Sequence, residues 1–344
     1  MEAGVEQKEF IRTYPCTSCG AKLSFAPGTR TLKCGHCGTQ NSIAGTDGAV
    51  EEQDYEAQLK ALEGSAETVE EQHVRCDKCG AAQALASGVF ASHCAFCGAA
   101  ITAQGYANRR IKPQAMVPFQ LDASAAQQSF RRWIRSRWLA PLDLARYAQT
   151  DAALAGVYLP FWIYDCRTST DYEGQRGTRH DKSTTWVAVS GHIDHFHDDV
   201  AVLASRSLPP TLGGAVWRWD TRGLVAYRPE YVSGFRAEAY QIGLKDGFTE
   251  ARRMIDDRIR NMIRREIGGD EQRIDAVATR YSEVGFKHAL MPVWISAYRY
   301  RDRTFRFLVN GQTAEVVGES PVAWWKVAIL VAIGLVILYF VLRN

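Results

Sequence analysis

The stretch that decides the fold is CTSCG (16–20) with CGHCG (34–38), which returns as CDKCG (76–80) with CAFCG (94–98). Fourteen residues separate the two pairs in each copy, and every cysteine of the second copy lies sixty positions after its counterpart in the first. Gly20, Gly38, Gly80 and Gly98 each follow the second cysteine of a pair, and Ala26/Ala86 and Gly28/Gly88 also match, so this is a duplicated module. A Cys-x-x-Cys turn lets two thiolates reach one metal, and the glycine behind it suits the left-handed residue that closes such a knuckle. Two knuckles carried by a short hairpin make a tetrahedral all-sulfur site with no open position, which is a structural rather than a catalytic centre.

The ligand sets expected are Cys16, Cys19, Cys34 and Cys37 on one ion and Cys76, Cys79, Cys94 and Cys97 on a second, since equal internal spacing makes each copy self-sufficient. Zn2+, two per chain, is preferred. Iron also suits four thiolates, and disulfides are the remaining alternative. Disulfides require an oxidising compartment, and MEAGVEQKEFIRTY (1–14) carries no secretory signal. Each module is too short to build a core, so metal binding would supply much of its folding free energy. His36 and His93 adjoin ligands as bystanders. The ninth cysteine, Cys166 in LPFWIYDC, reads as a buried small hydrophobe.

Outward from this pair, the chain of 344 residues divides into a first zinc ribbon (1–46), an acidic helical linker (47–72), a second ribbon (73–105), an α+β body (106–321) and a terminal anchor (322–344). In the linker, Tyr55, Leu59 and Leu62 fall at helical spacing. Its glycine-containing ends and the metal-driven folding of the ribbons predict modules with few contacts to the body. The alternative is a lid packed on the sheet through Phe25, Phe90 and Phe96. A net charge of +3 is too small to argue for nucleic acid by itself.

In DASAAQQSFRRWIRSRWLAP (122–141), Asp122 is a candidate N-cap and Pro141 a stop. Phe130, Trp133, Ile134 and Trp138 share one face, with Arg131, Arg132 and Arg135 mostly on the other. Three readings stand: a helix packed on the core, an interfacial helix on anionic lipid, or a nucleic-acid contact. From Val157 the pattern turns to strands: VYLPFWIYDCRTSTDYEG, TTWVAVSGHIDHFHDDVAVLAS and AVWRWDTRGLVAYRP. A long helix is expected from about 247 to 267, with a stripe of Met254, Ile255, Ile259, Met262, Ile263 and Ile267 and a stop at Gly268–Gly269. RIDAVATRYSEV and MPVWISAYRYRDRTFRFLVNGQTAEVVGES return to strands, with Asn310–Gly311 as a hairpin signal. The body is therefore α+β with a mainly antiparallel sheet. In GHIDHFHDDV, His195 and His197 face one side of a strand while His192 and Asp194 face the other; a polar, solvent-facing strand is preferred to a metal site.

The stretch WWKVAILVAIGLVILYFVLRN (324–344) has no charge from Val327 to Leu342. Trp324 and Trp325 suit the interface, and Lys326 can snorkel, so the segment reads as a single-pass tail anchor with only Arg343 and Asn344 beyond it. The arginines at 299, 301, 303 and 306 lie before it and favour a cytoplasmic body.

With these pieces, the chain resembles a bacterial family of membrane-tethered proteins carrying transcription-factor-IIB-type zinc ribbons. The likeness rests on the paired ribbons, GVYLPFWIYD (156–165), DDVAVLASRSL (198–208), LMPVWISAYRYRDRTFRFLVNGQTAEVVGESP (290–321) and the terminal helix. Such proteins are often labelled primosomal replication helicases. This sequence has no G-x-x-x-x-G-K-[ST] loop and no Gly-Lys pair, and a helicase motor is not expected. The resemblance implies partners of phage-shock type or stomatin/flotillin type. The expectation is a non-enzymatic adaptor on the cytoplasmic membrane; a membrane-tethered nucleic-acid binder using the ribbons and the Arg/Trp helix is the alternative.

Overall fold

A computed structural model describes residues 14–43, 50–63, 73–75, 82–84, 91–93, 100–102, 111–147, 154–181, 183–208, 212, 219–301 and 303–343. The first ribbon is a small antiparallel sheet of β1 (Leu23–Phe25), β2 (Thr31–Cys34) and β3 (Gln40–Ser42), with a bridge from Pro15 to Lys22. Next come β4 (Gln53–Asp54) and α1 (Tyr55–Glu63), which the Asp54 carboxylate starts by accepting from the Ala57 N–H at 2.6 Å. The second copy contributes β5 (His73–Arg75), β6 (Ala82–Ala84), β7 (Ala91–His93) and β8 (Ala100–Thr102). Apart from the β1–β2 ladder, its pairing among the described residues repeats that of the first copy at the same sixty-residue offset. Pro15↔Lys22 becomes Arg75↔Ala82, and Thr31↔Ser42 becomes Ala91↔Thr102. The duplication read from cysteines is thus a duplication of backbone pairing as well. Cys76, Cys79, Cys94, Cys97, Phe90 and Phe96 lie outside the described residues.

The body is α+β and mainly antiparallel. In chain order it contains β9 (Ala115–Met116), α2 (Ala123–Arg135), α3 (Leu144–Tyr147), β10 (Ala155–His180) and β11 (Ser183–Leu203). Then follow a 3₁₀ turn at Thr221–Gly223, β12 (Val225–Ala226), α4 (Pro229–Val232), β13 (Arg236–Ala237) and α5 (Leu244–Ile267). The last elements are β14 (Glu271–Tyr300), β15 (Arg303–Asn310), β16 (Val316–Gly318) and α6 (Trp324–Arg343). The main sheet runs β11-β10-β14-β15-β16, all antiparallel along that path. Two of the strands expected as separate pieces are one: β14 runs for 30 residues, roughly 100 Å at about 3.3 Å per residue. Conversely, little of AVWRWDTRGLVAYRP is strand among the described residues, only Val225 and Ala226.

The half of the sheet nearest the strand ends Ala155 and Tyr300 is buried on both faces. Val157, Leu159, Phe161 and Ile163 enter one cluster with Met291, Val293 and Ile295, while Tyr158, Trp162 and Tyr164 face the other side. Further out, α5 covers one face only. Its buried stripe is Ala251, Ile255, Ile259, Ile263 and Ile267, one residue every four. Met254, expected in that stripe, is 36% exposed, because it lies a quarter-turn off that line. Gly268 and Gly269 take positive φ and end the helix as read.

Two stretches expected to stand apart are docked. β4 pairs with β14 at Gly285↔Asp54 and Phe286↔Gln53, and Tyr55 is buried against Tyr164 and Phe248. The acidic stretch is therefore fixed to the body at 50–63. The first ribbon is docked more firmly. Leu23, Phe25, Leu32, Cys16 and Cys34 belong to the same buried cluster as Phe119, Tyr158, Tyr231 and Trp294. Phe25 meets Tyr231 edge-on at 5.0 Å, its N–H donates to the Ser233 carbonyl at 2.8 Å, and the Ser233 hydroxyl donates to the Leu23 carbonyl at 2.8 Å. Gly28, at φ +74, donates to the Phe119 carbonyl at 2.9 Å, and a Cβ there would sit 3.0 Å from the Gln120 carbonyl oxygen. The expectation of an independent first module is corrected: it shares the body's core through Phe25, as in the lid alternative.

Candidate metal centre

The knuckles of the first ribbon form as the spacing predicts. Gly20 and Gly38 take φ of +72° and +77° directly after Cys19 and Cys37. The Ser18 N–H points at Cys16 Sγ (3.4 Å) and the Cys37 N–H at Cys34 Sγ (3.5 Å). Cys16 Sγ lies 3.5 Å from Cys37 Sγ, and Cys19 Sγ lies 3.5 Å from Cys34 Sγ. All four sulfurs fall within 4.8 Å of one another. Sulfurs at the corners of a tetrahedron with ~2.3 Å metal–sulfur bonds would be about 3.8 Å apart, so the group could hold one ion. A disulfide needs ~2.05 Å, and these four cysteines are free. Cys16 and Cys34 are buried while Cys19 and Cys37 are exposed, so the rim of the site faces solvent. Contact with the Thr39 hydroxyl and backbone lowers Cys37 to about 6. Backbone N–H groups of Cys37 and His36 lower Cys34 as well. These two effects favour the thiolate form that a metal requires, whereas Cys19 moves the other way: its Ala21 backbone bond is outweighed by contact with Cys37, which helps push it up to about 12.

A second convergence was missed in the sequence. Asp165 is 1% exposed in the middle of the apolar run FWIYDC, and Asp165, Asp198 and Asp199 bring carboxylate oxygens within 4.8 Å of one another. Two bulges flank it, and the one in β11 sets Asp198 and Asp199 beside Asp165. Pairing with β11 slips between Tyr164 and Cys166, and pairing with β14 slips between Asp165 and Arg167. Asp199 and Glu283 absorb the slips at φ of 50° and 51°. The Asp199 N–H donates to Asp165 Oδ1 at 2.6 Å.

This group already contains its cation. Lys287 Nζ lies 3.1 Å from Asp165 Oδ2, 3.2 Å from Asp199 Oδ1 and 3.2 Å from Glu52 Oε1. An ammonium has three N–H donors, and here it has three carboxylates. Burial alone would lower the Lys287 pKa, but the Asp165 and Asp199 carboxylates more than offset it and raise it. The cluster reads as a buried ionic joint between β10, β11, β14 and the 50–54 segment. An acid inside an apolar run is the sequence signal that could have revealed it, because such a group requires a partner.

The histidines divide between faces as read. His197 is buried and bonds Thr168 Oγ1 at 3.1 Å; burial first, then His195 and Arg258, lower its pKa to about 4. His192 is on the open face with Nδ1 2.6 Å from Asp171 Oδ1, and Nε2 3.1 Å from Asp194 Oδ1 and 3.3 Å from Ser169 Oγ. Hydrogen bonds to Asp171 and then Asp194 raise its pKa. Two carboxylates bracket the ring, with the serine further away than the nearer of them at Nε2. The arrangement is a surface ion pair on a polar strand. Cys166 is buried, and burial raises its thiol to about 11, as expected of a packing residue.

At the other end of the body, Asp122 caps α2 by accepting from the Ala125 N–H at 2.8 Å. Phe130 and Ile134 are buried, and Phe130 stacks on Phe307 at 3.6 Å. The helix therefore packs on the core with its aromatic face. Trp138 lies beyond its end and is 64% exposed. α6 has 20 residues, roughly 30 Å, long and apolar enough to cross a membrane, and none of its apolar window Trp324–Val341 is buried.

Over 331 residues the chain is 25% identical to the uncharacterized protein YdjG of Bacillus subtilis (strain 168), covering 92% of each chain. No protein-family model matches the chain. No solved structure matches it either.

Proposed function

We propose that the protein is a membrane-anchored zinc protein that serves as a non-enzymatic adaptor, recruiting protein partners at the cytoplasmic face of a bacterial membrane. The observation that carries this reading is the closed four-thiol group of Cys16, Cys19, Cys34 and Cys37, clasped onto a body that leads into α6. A four-sulfur site has no position for substrate, so the metal builds a surface. Zinc is the ion assigned, as a structural zinc ribbon. A second zinc on Cys76, Cys79, Cys94 and Cys97 follows from the shared spacing and the repeated strand pairing. The family of membrane-tethered proteins with transcription-factor-IIB-type ribbons remains the expected kinship, and phage-shock-type and stomatin/flotillin-type membrane proteins the expected partners. The buried position of Phe130 and Ile134 favours this over nucleic-acid binding, because those side chains are not free to stack on bases.

The test is crosslinking in intact cells followed by purification of the full chain from solubilised membranes, beside a Cys76→Ser/Cys79→Ser variant. The reading expects a membrane-resident protein of one of these two types on the unaltered chain and its loss from the variant. Recovery of nucleic acid in a salt-sensitive complex, with no protein partner, would replace it.

A further inference from the structure

The start of α6 is not a free tether. The Ala323 N–H donates to the Leu139 carbonyl at 2.8 Å, and Lys326 Nζ donates to the carbonyls of Trp138 and Ala140, each at 2.7 Å. Lys326 was expected to snorkel toward headgroups; instead it binds the loop that follows α2. That loop carries Trp138, 64% exposed, and Leu142, 83% exposed, beside Val322 (43%), Trp324 (77%) and Trp325 (56%) at the helix entry. The β14–β15 turn joins the same base, since the Tyr300 hydroxyl donates to Asp143 Oδ1 at 2.9 Å. Arg301 and Arg303 are exposed on that turn, as are Arg135 and Arg137 at the end of α2.

We propose that the loop at 136–142 is a second membrane contact, with Trp138 and Leu142 bedded among lipid headgroups and Arg135, Arg137, Arg301 and Arg303 facing anionic phosphates. The inference rests on the reading of α6 as a membrane span. Continuity decides the occupant. The Trp138 carbonyl accepts from the Lys326 ammonium and the Leu139 carbonyl from the Ala323 N–H, so the loop is held beside the entry to α6 that carries Trp324 and Trp325, and tryptophan prefers the boundary between headgroups and acyl chains. Basic side chains around an apolar tip match an anionic bilayer surface. The consequence is an orientation: the body is held against the bilayer at two points, and the distal ends of β10, β11 and β14 project from it.

The test uses the full chain in vesicles of phosphatidylcholine and phosphatidylglycerol, with the photoreactive residue p-benzoylphenylalanine placed singly at four sites. Trp138→p-benzoylphenylalanine and Leu142→p-benzoylphenylalanine probe the loop, and both positions are too exposed for the change to disturb the core. Leu335→p-benzoylphenylalanine probes the span itself. Val187→p-benzoylphenylalanine, 58% exposed on β11, is the remote control. The proposal expects lipid adducts from positions 335, 138 and 142, at least several-fold above position 187. Adducts at 335 with 138 and 142 no higher than 187, or adducts from 138 and 142 to protein in place of lipid, would overturn it while leaving the membrane span intact. Absence of adducts at 335 would remove the span and this contact together.

Discussion

The Asp165 and Cys16 clusters solve the same problem in opposite ways. The Asp165 cluster gathers carboxylates around the Lys287 ammonium, which the chain itself supplies. The Cys16 cluster gathers four sulfurs, and among the described residues no lysine or arginine figures in what shifts Cys19, Cys34 or Cys37. The first is complete on folding and serves as a joint. The second could hold a cation from outside, and on the proposed reading its stability is tied to metal supply. A gathering of potential ligands is thus insufficient to define a metal centre; the nearest side-chain cation decides.

The largest effect expected is at the self-contained cluster. Lys287→Met strands the buried Asp165 carboxylate, and removing one partner of a buried ion pair costs ~3–5 kcal/mol. Melting of the full chain in detergent should fall by on the order of 10 °C, whereas a chelator added to the unaltered chain should leave this joint intact. A near-unchanged melting temperature would show that solvent, and not Lys287, satisfies Asp165.

The next largest effect sharpens the other side. Because Phe25 shares a core with Tyr231 and Phe119, stripping metal should lower the melting temperature of the body by several degrees as well as unfolding the ribbon. Phe25→Ala, costing ~3 kcal/mol or more by itself, should uncouple the two, so that chelation then moves the body much less. Equal chelation shifts in both proteins would break the claim that the ribbon is clasped.

A smaller effect concerns His197, which is buried beside Thr168 and stays neutral. Its pKa is lowered from 6.5 to about 4 in the fold. The unfolded chain therefore binds this proton first as pH falls, and stability is lost between about 6.5 and 4 and levels off below that. His197→Gln keeps a hydrogen-bonding group beside Thr168 and should flatten that part of the pH profile of melting. A profile parallel to the unaltered chain would assign the loss to other groups.

Much of this was legible because it is local. Cysteine spacing gave the knuckles with Gly20 and Gly38, Asp122 gave the start of α2, and one isoleucine every four residues gave α5. The apolar run gave α6. What escaped is non-local. The Phe25–Ser233 clasp joins residues more than two hundred apart, and nothing in SFAPG announces its partner. Asp165 and Lys287 share a face in unbroken register, Ile163 opposite Lys287 and Asp165 opposite Gly285, but nothing local says that these two strands pair; Asp199 joins them beside a bulge, which a period-two reading cannot see. Met254 shows the same limit on a smaller scale: apolar identity placed it in the stripe, and the geometry of the helix puts it outside.

The central claim is that the four thiols of the first ribbon hold a structural zinc, and metal analysis of the purified full chain tests it most directly. The detergent-solubilised protein should carry close to two zinc ions per chain, and a Cys34→Ser variant close to one. Zinc content unchanged by Cys34→Ser, or iron in place of zinc, would contradict the account.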